Sequence, residues 1–301
     1  EMVYENEKVY THSLNSSGPM GPAIRFPHLD DDEEPGVMTL RRLQRICEKH
    51  DLYRTPEVND KLYLHYEGFR TVDPAVMARY CNLKCLWLQG NGLSEISGLD
   101  ACGATLKSLY LHENAIAEIG DGLRAMVEVE TLNLSKTFLT RLSGLEGMAK
   151  LSTLNLGYCS LGPDASAVEH AALLPRLSTL DVQHNKLEDG DGMLALAARM
   201  PALRVLYCQG NPFVREFRYY RKRFISAVGD ASKMDRFTPS STPANTLKYL
   251  DDRPVFEDEA RRVRAWLDGD ADGGWERGNE LEREMIKFLR DEKTAYEDKR
   301  H

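Results

Sequence analysis

One run of residues near the carboxyl end of the chain has the spacing of a metal site. Asp268, Asp270 and Asp272 alternate as the oxygen ligands of a calcium-binding loop do, and Gly273 fills the glycine position. The twelfth loop position requires a glutamate that binds through both oxygens, but Asn279 stands there. The match is partial, so we favour a polar linker between helices, with the three aspartates as a calcium alternative.

Other reactive side chains do not form an arrangement that fits catalysis or a bound cofactor. The six cysteines lack the CxxC pairs of a zinc site, which favours reduced and mostly buried thiols. Neither HExxH nor GxSxG occurs, and the glycine-rich run at 189–192 lacks the Lys-Ser/Thr pair of a phosphate-binding loop. We therefore predict a protein that is not an enzyme and needs no cofactor or metal.

The charge and hydropathy of the chain limit its partners. The formal net charge is −8 and the sequence pI is about 5.6, which disfavours nucleic acid, because phosphate binding requires clustered Lys and Arg. No stretch approaches the roughly 20 apolar residues of a membrane span, and the first residues lack the apolar core of a signal peptide. The sequence predicts a soluble, intracellular protein that binds neither nucleic acid nor membrane.

The strongest pattern is a leucine motif with a period of about 22 to 26 residues, the window of leucine-rich repeats. In the motif LxxLxLxxN, alternating leucines point inward from a short parallel strand, and the asparagine bonds main-chain groups of the turn. We predict an α/β leucine-rich-repeat solenoid, in which a curved parallel β-sheet carries short helices or turns on its convex side. The fourth-position leucines are Leu62, Leu86, Leu109, Leu132, Leu154, Leu180 and Leu206.

The asparagine position is not filled in every repeat. Thr137 and Cys159 replace the asparagine in two repeats, where we expect weaker hydrogen bonds. The repeats after Leu154 are longer, which predicts real helices on the convex side of the rear half, as at 192–200. The asparagines are Asn91, Asn114, Asn185 and Asn211.

Segments on both sides of the repeats are predicted to cover the open edges of the sheet, as terminal repeats must. Thr39 can cap a helix, a basic segment at 215–227 looks like a second capping helix, and a Ser/Thr/Pro-rich insertion occupies 231–246. We divide the chain into a flexible acidic arm (1–37), an N-terminal capping helix and lead-in segment (38–58), seven repeats (59–213), a C-terminal cap (214–256) and a charged helical extension (257–301).

The concave face of the sheet is the predicted binding surface. Strands about 4.8 Å apart align the fifth, seventh and eighth motif positions into columns on that face. The fifth-position column is aromatic at both ends and polar in the middle, and aromatic anchors beside polar groups are typical of binding hot spots. The alternative is that the rings only cover the sheet. The candidate residues are Tyr63, His65, Trp87, Gln89, Tyr110, His112, Asn133, Tyr158, Asp181 and Tyr207.

Two further surfaces are open to a functional interpretation. A basic segment could attract acidic partners such as tubulin tails, although a solvated helix face explains it as well. An apolar stripe in the charged extension could join a coiled coil or lie back on the solenoid. The basic residues are Arg215, Arg218, Arg221, Lys222 and Arg223. The stripe consists of Leu281, Met285, Phe288 and Leu289.

Three stretches of the chain have a more specific pattern than the repeats: MTLRRLQRICEKHDLYRTPEVNDKLYLHYEGF at 38–69, the second repeat LKCLWLQGNGLSEISGL, and YLDDRPVF at 249–256. They resemble one family, the leucine-rich-repeat factors that assemble axonemal dynein arms. The resemblance covers roughly residues 38–270, and the chain departs from the family at the 231–246 insertion and in the Asp-rich segment near residue 270.

The resemblance implies a cytoplasmic adaptor for axonemal dynein. Such factors help dynein heavy and intermediate chains mature, together with chaperones and other assembly factors, before transport into the cilium or flagellum. Two other functions stay open. One is a resident structural protein of the axoneme that contacts dynein or microtubules, and the other is a phosphatase-regulating leucine-rich-repeat protein.

Overall fold

The computed structural model describes residues 34–228 and 247–298, with side chains up to residue 295. Within these residues, one nine-stranded sheet runs in chain order, parallel from the first strand to the eighth and antiparallel at the last pair. The predicted solenoid is confirmed. The strands are Lys61–Tyr63 (β1), Cys85–Trp87 (β2), Ser108–Tyr110 (β3), Thr131–Asn133 (β4), Thr153–Asn155 (β5), Thr179–Asp181 (β6), Val205–Tyr207 (β7), Tyr249–Leu250 (β8) and Arg253–Pro254 (β9).

The seven predicted repeats correspond to β1 through β7, and we number the repeats accordingly. The fourth-position leucines lie opposite one another across every strand pair, from Leu62 against Leu86 onward. Each of these leucines is buried between the sheet and the convex segments. Because side chains alternate along a strand, the residues on either side of each leucine face the concave side.

The convex side carries turns in the front repeats and more helix in the rear. The helix predicted at 192–200 is present at Gly190–Ala198, because the Asp189 side chain caps its first turn by accepting from the Gly192 N–H at 2.8 Å. The α-helices are Leu40–Lys49 (α1), Pro74–Met77 (α2), Gly190–Ala198 (α3), Pro212–Glu216 (α4), Tyr220–Ala227 (α5) and Glu257–Asp298 (α6). Short 3₁₀ helices lie at Pro56–Val58, Asp100–Cys102 and Ala165–Leu173.

A ladder of asparagine side chains ties the repeats together. The Asn114 amide donates to the Leu88 carbonyl of the preceding repeat at 2.9 Å and to the Leu111 carbonyl of its own at 2.8 Å. Its oxygen accepts from the Leu93 N–H at 3.2 Å, again in the preceding repeat. The same pattern of three bonds recurs at Asn91, Asn185 and Asn211.

The two substituted ladder positions make weaker hydrogen bonds than an amide does, and their side chains contact each other at 3.3 Å. Thr137 donates to the Leu134 carbonyl of its own repeat at 2.8 Å. The Cys159 thiol reaches that same carbonyl, in the preceding repeat, at 3.3 Å. No side-chain amide therefore crosses between repeats three and four.

A left-handed residue precedes every ladder position, a regularity that the sequence did not predict. In all seven repeats the eighth motif residue has a positive φ, and its N–H in repeats one to six donates to a carbonyl of the following repeat. This conformation turns the chain out of the strand. The residues are Tyr66, Gly90, Glu113, Lys136, Tyr158, His184 and Gly210.

The predicted N-terminal cap is present as α1, with Thr39 as its N-cap. The buried Arg42 of this helix donates to the carbonyls of Val37 and Glu67 and lies 4.3 Å from the Phe69 ring centroid. Glu67 occupies the asparagine position of the first repeat. An arginine from the cap thus bonds the first turn, which has no ladder asparagine.

The predicted single capping helix at 215–227 is wrong in detail. Tyr219 adopts a left-handed conformation with φ of 59°, so two short helices, α4 and α5, replace it. The Asp251 side chain then binds the main chain just after β7. One of its oxygens accepts from the N–H groups of Cys208 and Gln209 at 2.8 and 2.9 Å. Its other oxygen accepts from the Tyr220 hydroxyl at 3.1 Å.

The charged extension folds into a hairpin of two helical arms, 257–272 and 275–298, because Gly273 and Gly274 interrupt α6. Trp266 donates to Asn279 at 3.2 Å, and Arg261 pairs with Glu292 at 2.9 Å, so the arms run antiparallel. In the predicted stripe Met285 is buried, and the Phe288 ring lies 5.6 Å from the Arg261 guanidinium. The stripe therefore lies within an intramolecular helix pair.

The partial calcium motif does not form a loop. Asp268, Asp270 and Asp272 belong to the first arm, which stays helical up to the break, and Asp268 pairs with Arg264 at 3.1 Å. Helical spacing places Asp268 and Asp272 on one side of the arm and Asp270 on the opposite side, so the three do not converge on one point. The calcium alternative is therefore wrong.

Two predicted segments lie largely or wholly outside the described residues: the acidic arm up to residue 33 and the insertion at 231–246. Among the helices that the structure describes, none combines the length and the apolar character of a membrane span.

The asparagine ladder generates a stability prediction. Asn114→Ala should lower the free energy of unfolding by about 2–4 kcal/mol, because it leaves three buried main-chain groups without their partner. Asn114→Thr should cost less, since Thr137 shows that threonine keeps the bond within its own repeat. Urea denaturation of the three proteins measures both effects, and equal losses for Ala and Thr would contradict this account.

Candidate functional site

Stacked rings cover the first three repeats on the concave face. The ring centroids of Tyr63 and Trp87 lie 4.7 Å apart, and those of Trp87 and Tyr110 lie 5.4 Å apart with only 6° between the planes. His50, at the end of α1, adds a fourth ring 5.5 Å from Tyr63. We call these four residues the aromatic row. His50 was not predicted, because the packing of the cap, and not a repeat position, puts it there.

A column of polar side chains runs beside the aromatic row. His65, Gln89 and His112 hold the seventh motif position in repeats one to three, with ring centroids 6.3 Å from His65 to Tyr63 and 6.4 Å from His112 to Tyr110. Each of the three has one buried polar atom without a hydrogen-bond partner. Burial lowers the pKa of His65 and of His112, which favours the neutral form of both rings.

The middle of the concave face is shaped by short side-chain turns. The side-chain oxygen of Asn133 accepts from the N–H two residues ahead at 3.0 Å, and Asn155 does the same at 2.9 Å. Asp181 makes the equivalent bond, at 3.0 Å, to the Gln183 N–H. One geometry thus recurs in repeats four, five and six, with an amide twice and a carboxylate once.

Asp181 is a buried carboxylate, only 8% exposed. Burial raises the pKa of Asp181, and the charge of Asp251 acts in the same direction, while the hydrogen bonds from Gln183 oppose the shift. No Lys or Arg in the part of the chain that the structure describes forms an ion pair with it. Tyr207 is its register partner on β7.

Tyr158 lies apart from the other predicted residues. It occupies an eighth position at the rim of the sheet, is 50% exposed, and stacks on His184 at 4.4 Å. The same rim holds Tyr66, whose hydroxyl donates to Glu113 at 2.7 Å. The ten predicted residues therefore divide into the row with its polar column, the polar middle with Asp181 and Tyr207, and the rim.

The basic segment is engaged within its own chain. Arg221 forms two hydrogen bonds to Glu259 at 2.6 and 2.7 Å, Lys222 pairs with Glu282, and Arg223 pairs with Asp191 at 2.9 Å. We call these three ion pairs the C-terminal clamp, because they join α5 to the hairpin and to α3. Most of the positive charge expected to attract a tubulin tail is thus neutralised internally.

Comparison with known proteins agrees with the repeat pattern and finds proteins of similar sequence. A family model for leucine rich repeats matches residues 104–161. The chain is 38% identical to the leucine-rich repeat-containing protein ODA7 of Chlamydomonas reinhardtii, over 88% of this chain and 54% of that protein.

Two animal relatives match a somewhat smaller share of the chain than the algal one. Identity is 34% to a Dynein axonemal assembly factor 1 homolog of Drosophila erecta, over 79% of this chain and 15% of that protein. It is 32% to Dynein axonemal assembly factor 1 of Homo sapiens, over 77% and 29%. The chain thus spans about half of the algal relative and less of the animal ones.

The burial of Asp181 predicts a dependence of stability on pH. Because the pKa of Asp181 is raised on folding, its contribution to stability is full below the ordinary value of 3.8 and falls as pH rises through the folded pKa. Asp181→Asn should therefore be more stable than wild type at pH 7, with a difference that shrinks on acidification. Urea denaturation at several pH values tests this, with Asn133→Asp as a control expected to lose stability at neutral pH.

The C-terminal clamp predicts that one charge reversal loosens the hairpin. Arg221→Glu replaces two charge-assisted hydrogen bonds with repulsion from Glu259, so amide hydrogen exchange in 257–290 should accelerate at least tenfold. The matched control is Arg218→Glu, since the exposed Arg218 bonds the neighbouring Tyr219 hydroxyl and forms no ion pair within the described residues. Equal exchange in the two variants would mean that the clamp does not hold the hairpin.

Proposed function

Since the chain is a leucine-rich-repeat protein related along most of its length to the axonemal dynein assembly factors, we propose that it is a non-enzymatic adaptor for the cytoplasmic preassembly of dynein arms. Its partners in this proposal are axonemal dynein heavy and intermediate chains, chaperones and other assembly factors. The protein would act in the cytoplasm, before the arms enter the cilium or flagellum and support its motility.

The aromatic row is the structural feature that best supports a role in binding a partner protein. Large rings supply contact area at a small loss of side-chain entropy, and a neutral polar column beside them can bond an uncharged segment. The row is half-buried and stacked ring on ring, so its geometry is set before a partner arrives. Such preorganisation reduces the entropic cost of binding.

Two alternatives are distinguished by simple observations. A resident axonemal protein would stay on axonemes after salt extraction, whereas an assembly adaptor would be found in the soluble cytoplasmic pool. The internal pairing of the basic segment makes direct attachment to acidic tubulin tails less favourable. A phosphatase-regulating role would require a phosphatase catalytic subunit to co-purify with the chain.

The aromatic row is tested by removing its two stacked rings. Trp87→Ala combined with Tyr110→Ala should reduce capture of co-expressed dynein heavy and intermediate chains at least tenfold. The loss of stacking should lower the free energy of unfolding by only about 1–2 kcal/mol, because the rings are part-exposed.

The control for this experiment is Phe138→Ala, which removes a 60% exposed ring outside the row. Capture should be unchanged in the control. Full capture by the double variant would refute a binding role for the row, and a collapse of stability in the double variant would make the row structural.

A further inference from the structure

We propose that the concave face around Asp181 binds an arginine or lysine side chain of the partner segment. The site, which we call the Asp181 notch, consists of neighbouring residues on strands β5 to β7 and the turns after them: Asn155, Gly157, Asp181, Gln183 and Tyr207. The inference rests on the proposed adaptor function and adds the chemistry of the partner.

The charge of Asp181 has no role in the turn that it makes. In repeats four and five the same turn is formed by the neutral amides of Asn133 and Asn155, with bonds of 3.0 and 2.9 Å against 3.0 Å for Asp181. A buried carboxylate without a cation costs folding free energy, whereas a buried amide with the same bond costs less. Repeats four and five thus show that the turn forms without a charge, so the turn does not explain why repeat six has an aspartate.

The carboxylate is held in place but retains capacity to accept hydrogen bonds. One oxygen accepts from the Gln183 N–H and the other from the Gln183 side-chain amide at 3.0 Å. The side-chain oxygen of Gln183 in turn accepts from the Gln209 side-chain amide at 3.0 Å, which fixes the orientation of Gln183. An ionised carboxylate accepts about four hydrogen bonds, so about two positions remain for donors from outside the chain.

Glycine at position 157 leaves this carboxylate without a side chain packed over it. Its backbone φ is not positive, unlike those of Gly90 and Gly210, so the local conformation does not demand a glycine. A Cβ at Gly157 would lie 3.1 Å from the Gln183 Cγ, 3.3 Å from the Asp181 Oδ1 and 3.4 Å from the Asn155 Oδ1, at or inside ordinary van der Waals contact. A side chain here would therefore crowd two acceptor oxygens, which the glycine leaves uncovered.

The surroundings of the notch favour a basic side chain over a metal ion. Calcium takes six to eight oxygen ligands, and nowhere in the described residues are three His, Cys, Asp or Glu side chains grouped to hold a metal. A guanidinium or ammonium needs only one carboxylate and a few acceptors. The negative charge of nearby Asp251 strengthens the attraction, and the ring of Tyr207 on the adjacent strand can stack on a guanidinium.

The position of the notch relates the basic residue to the aromatic row. Tyr110 lies in repeat three and Asp181 in repeat six, so they are separated by three strand spacings, or about 14 Å. An extended segment covers that distance in about four residues. The partner segment should therefore carry its basic residue about four positions from an apolar or aromatic one that meets the row.

The test uses the whole protein and synthetic peptides of known sequence. A random ten-residue peptide library is selected on wild type, and each binder is remade with citrulline for arginine or acetyl-lysine for lysine. Selected peptides should be enriched in a basic residue, and its neutralisation should weaken binding at least tenfold by fluorescence anisotropy. Asp181→Asn should weaken binding of the basic peptide by the same factor, with no further loss on neutralisation of the peptide.

Two variants complete the design. Gly157→Ala places a methyl group against the Asp181 and Asn155 oxygens without changing the charge, and it should also weaken basic peptides. Thermal unfolding of this variant checks that the fold is retained. Glu113→Gln removes a carboxylate at the rim, outside the notch, and should leave binding unchanged. A library without basic enrichment, neutral peptides that bind equally well, or full binding by Asp181→Asn would each overturn the proposal. Dynein-chain capture by the variant lacking Trp87 and Tyr110 is measured separately, so failure of the notch and failure of the adaptor function are distinguishable.

Discussion

The amide of a ladder asparagine bonds its own repeat and the preceding one at the same time, and the alignment of the solenoid depends on that double attachment. Asn114 reaches Leu88, Leu93 and Leu111, so two turns share one side chain. A single solenoid repeat cannot bury its apolar side chains alone, and it gains its stability from its neighbours. With the turns held in register, the strands follow and the concave side chains become columns. The proposed binding surface therefore follows from the same hydrogen bonds that align the core.

The concave face has two chemical halves. Repeats one to three present stacked rings beside neutral polar groups, whereas repeats five to seven present a buried carboxylate with acceptor oxygens around it. Apolar contact supplies affinity with little directional preference, while a charge in a sheltered place discriminates strongly between partners. A segment that satisfies both halves would be recognised by its chemistry at two separated points.

Much of this architecture could be predicted because repeated short-range patterns encode it. The leucine spacing fixed the seven strands, and the register that follows placed Tyr63, Trp87 and Tyr110 side by side. Features that depend on single long-range contacts could not be read in this way. His50 joins the row only because α1 packs on the first strand, and Arg42 bonds a turn 25 residues away. The left-handed Tyr219 and the hairpin break at Gly273 and Gly274 likewise depend on what the flanking helices pack against.

The substitution of Thr137 and Cys159 into the ladder has a mechanical consequence. In a one-dimensional array the weakest coupling between neighbours sets where the array flexes and where unfolding can divide it. That joint lies between repeats three and four, where no ladder side chain crosses, whereas the Cys159 thiol still reaches from repeat five to repeat four. It separates the aromatic half of the concave face from the acidic half. A bound segment that contacts both halves would restrain motion at this joint. The flexibility of the solenoid would then decrease when a partner is bound.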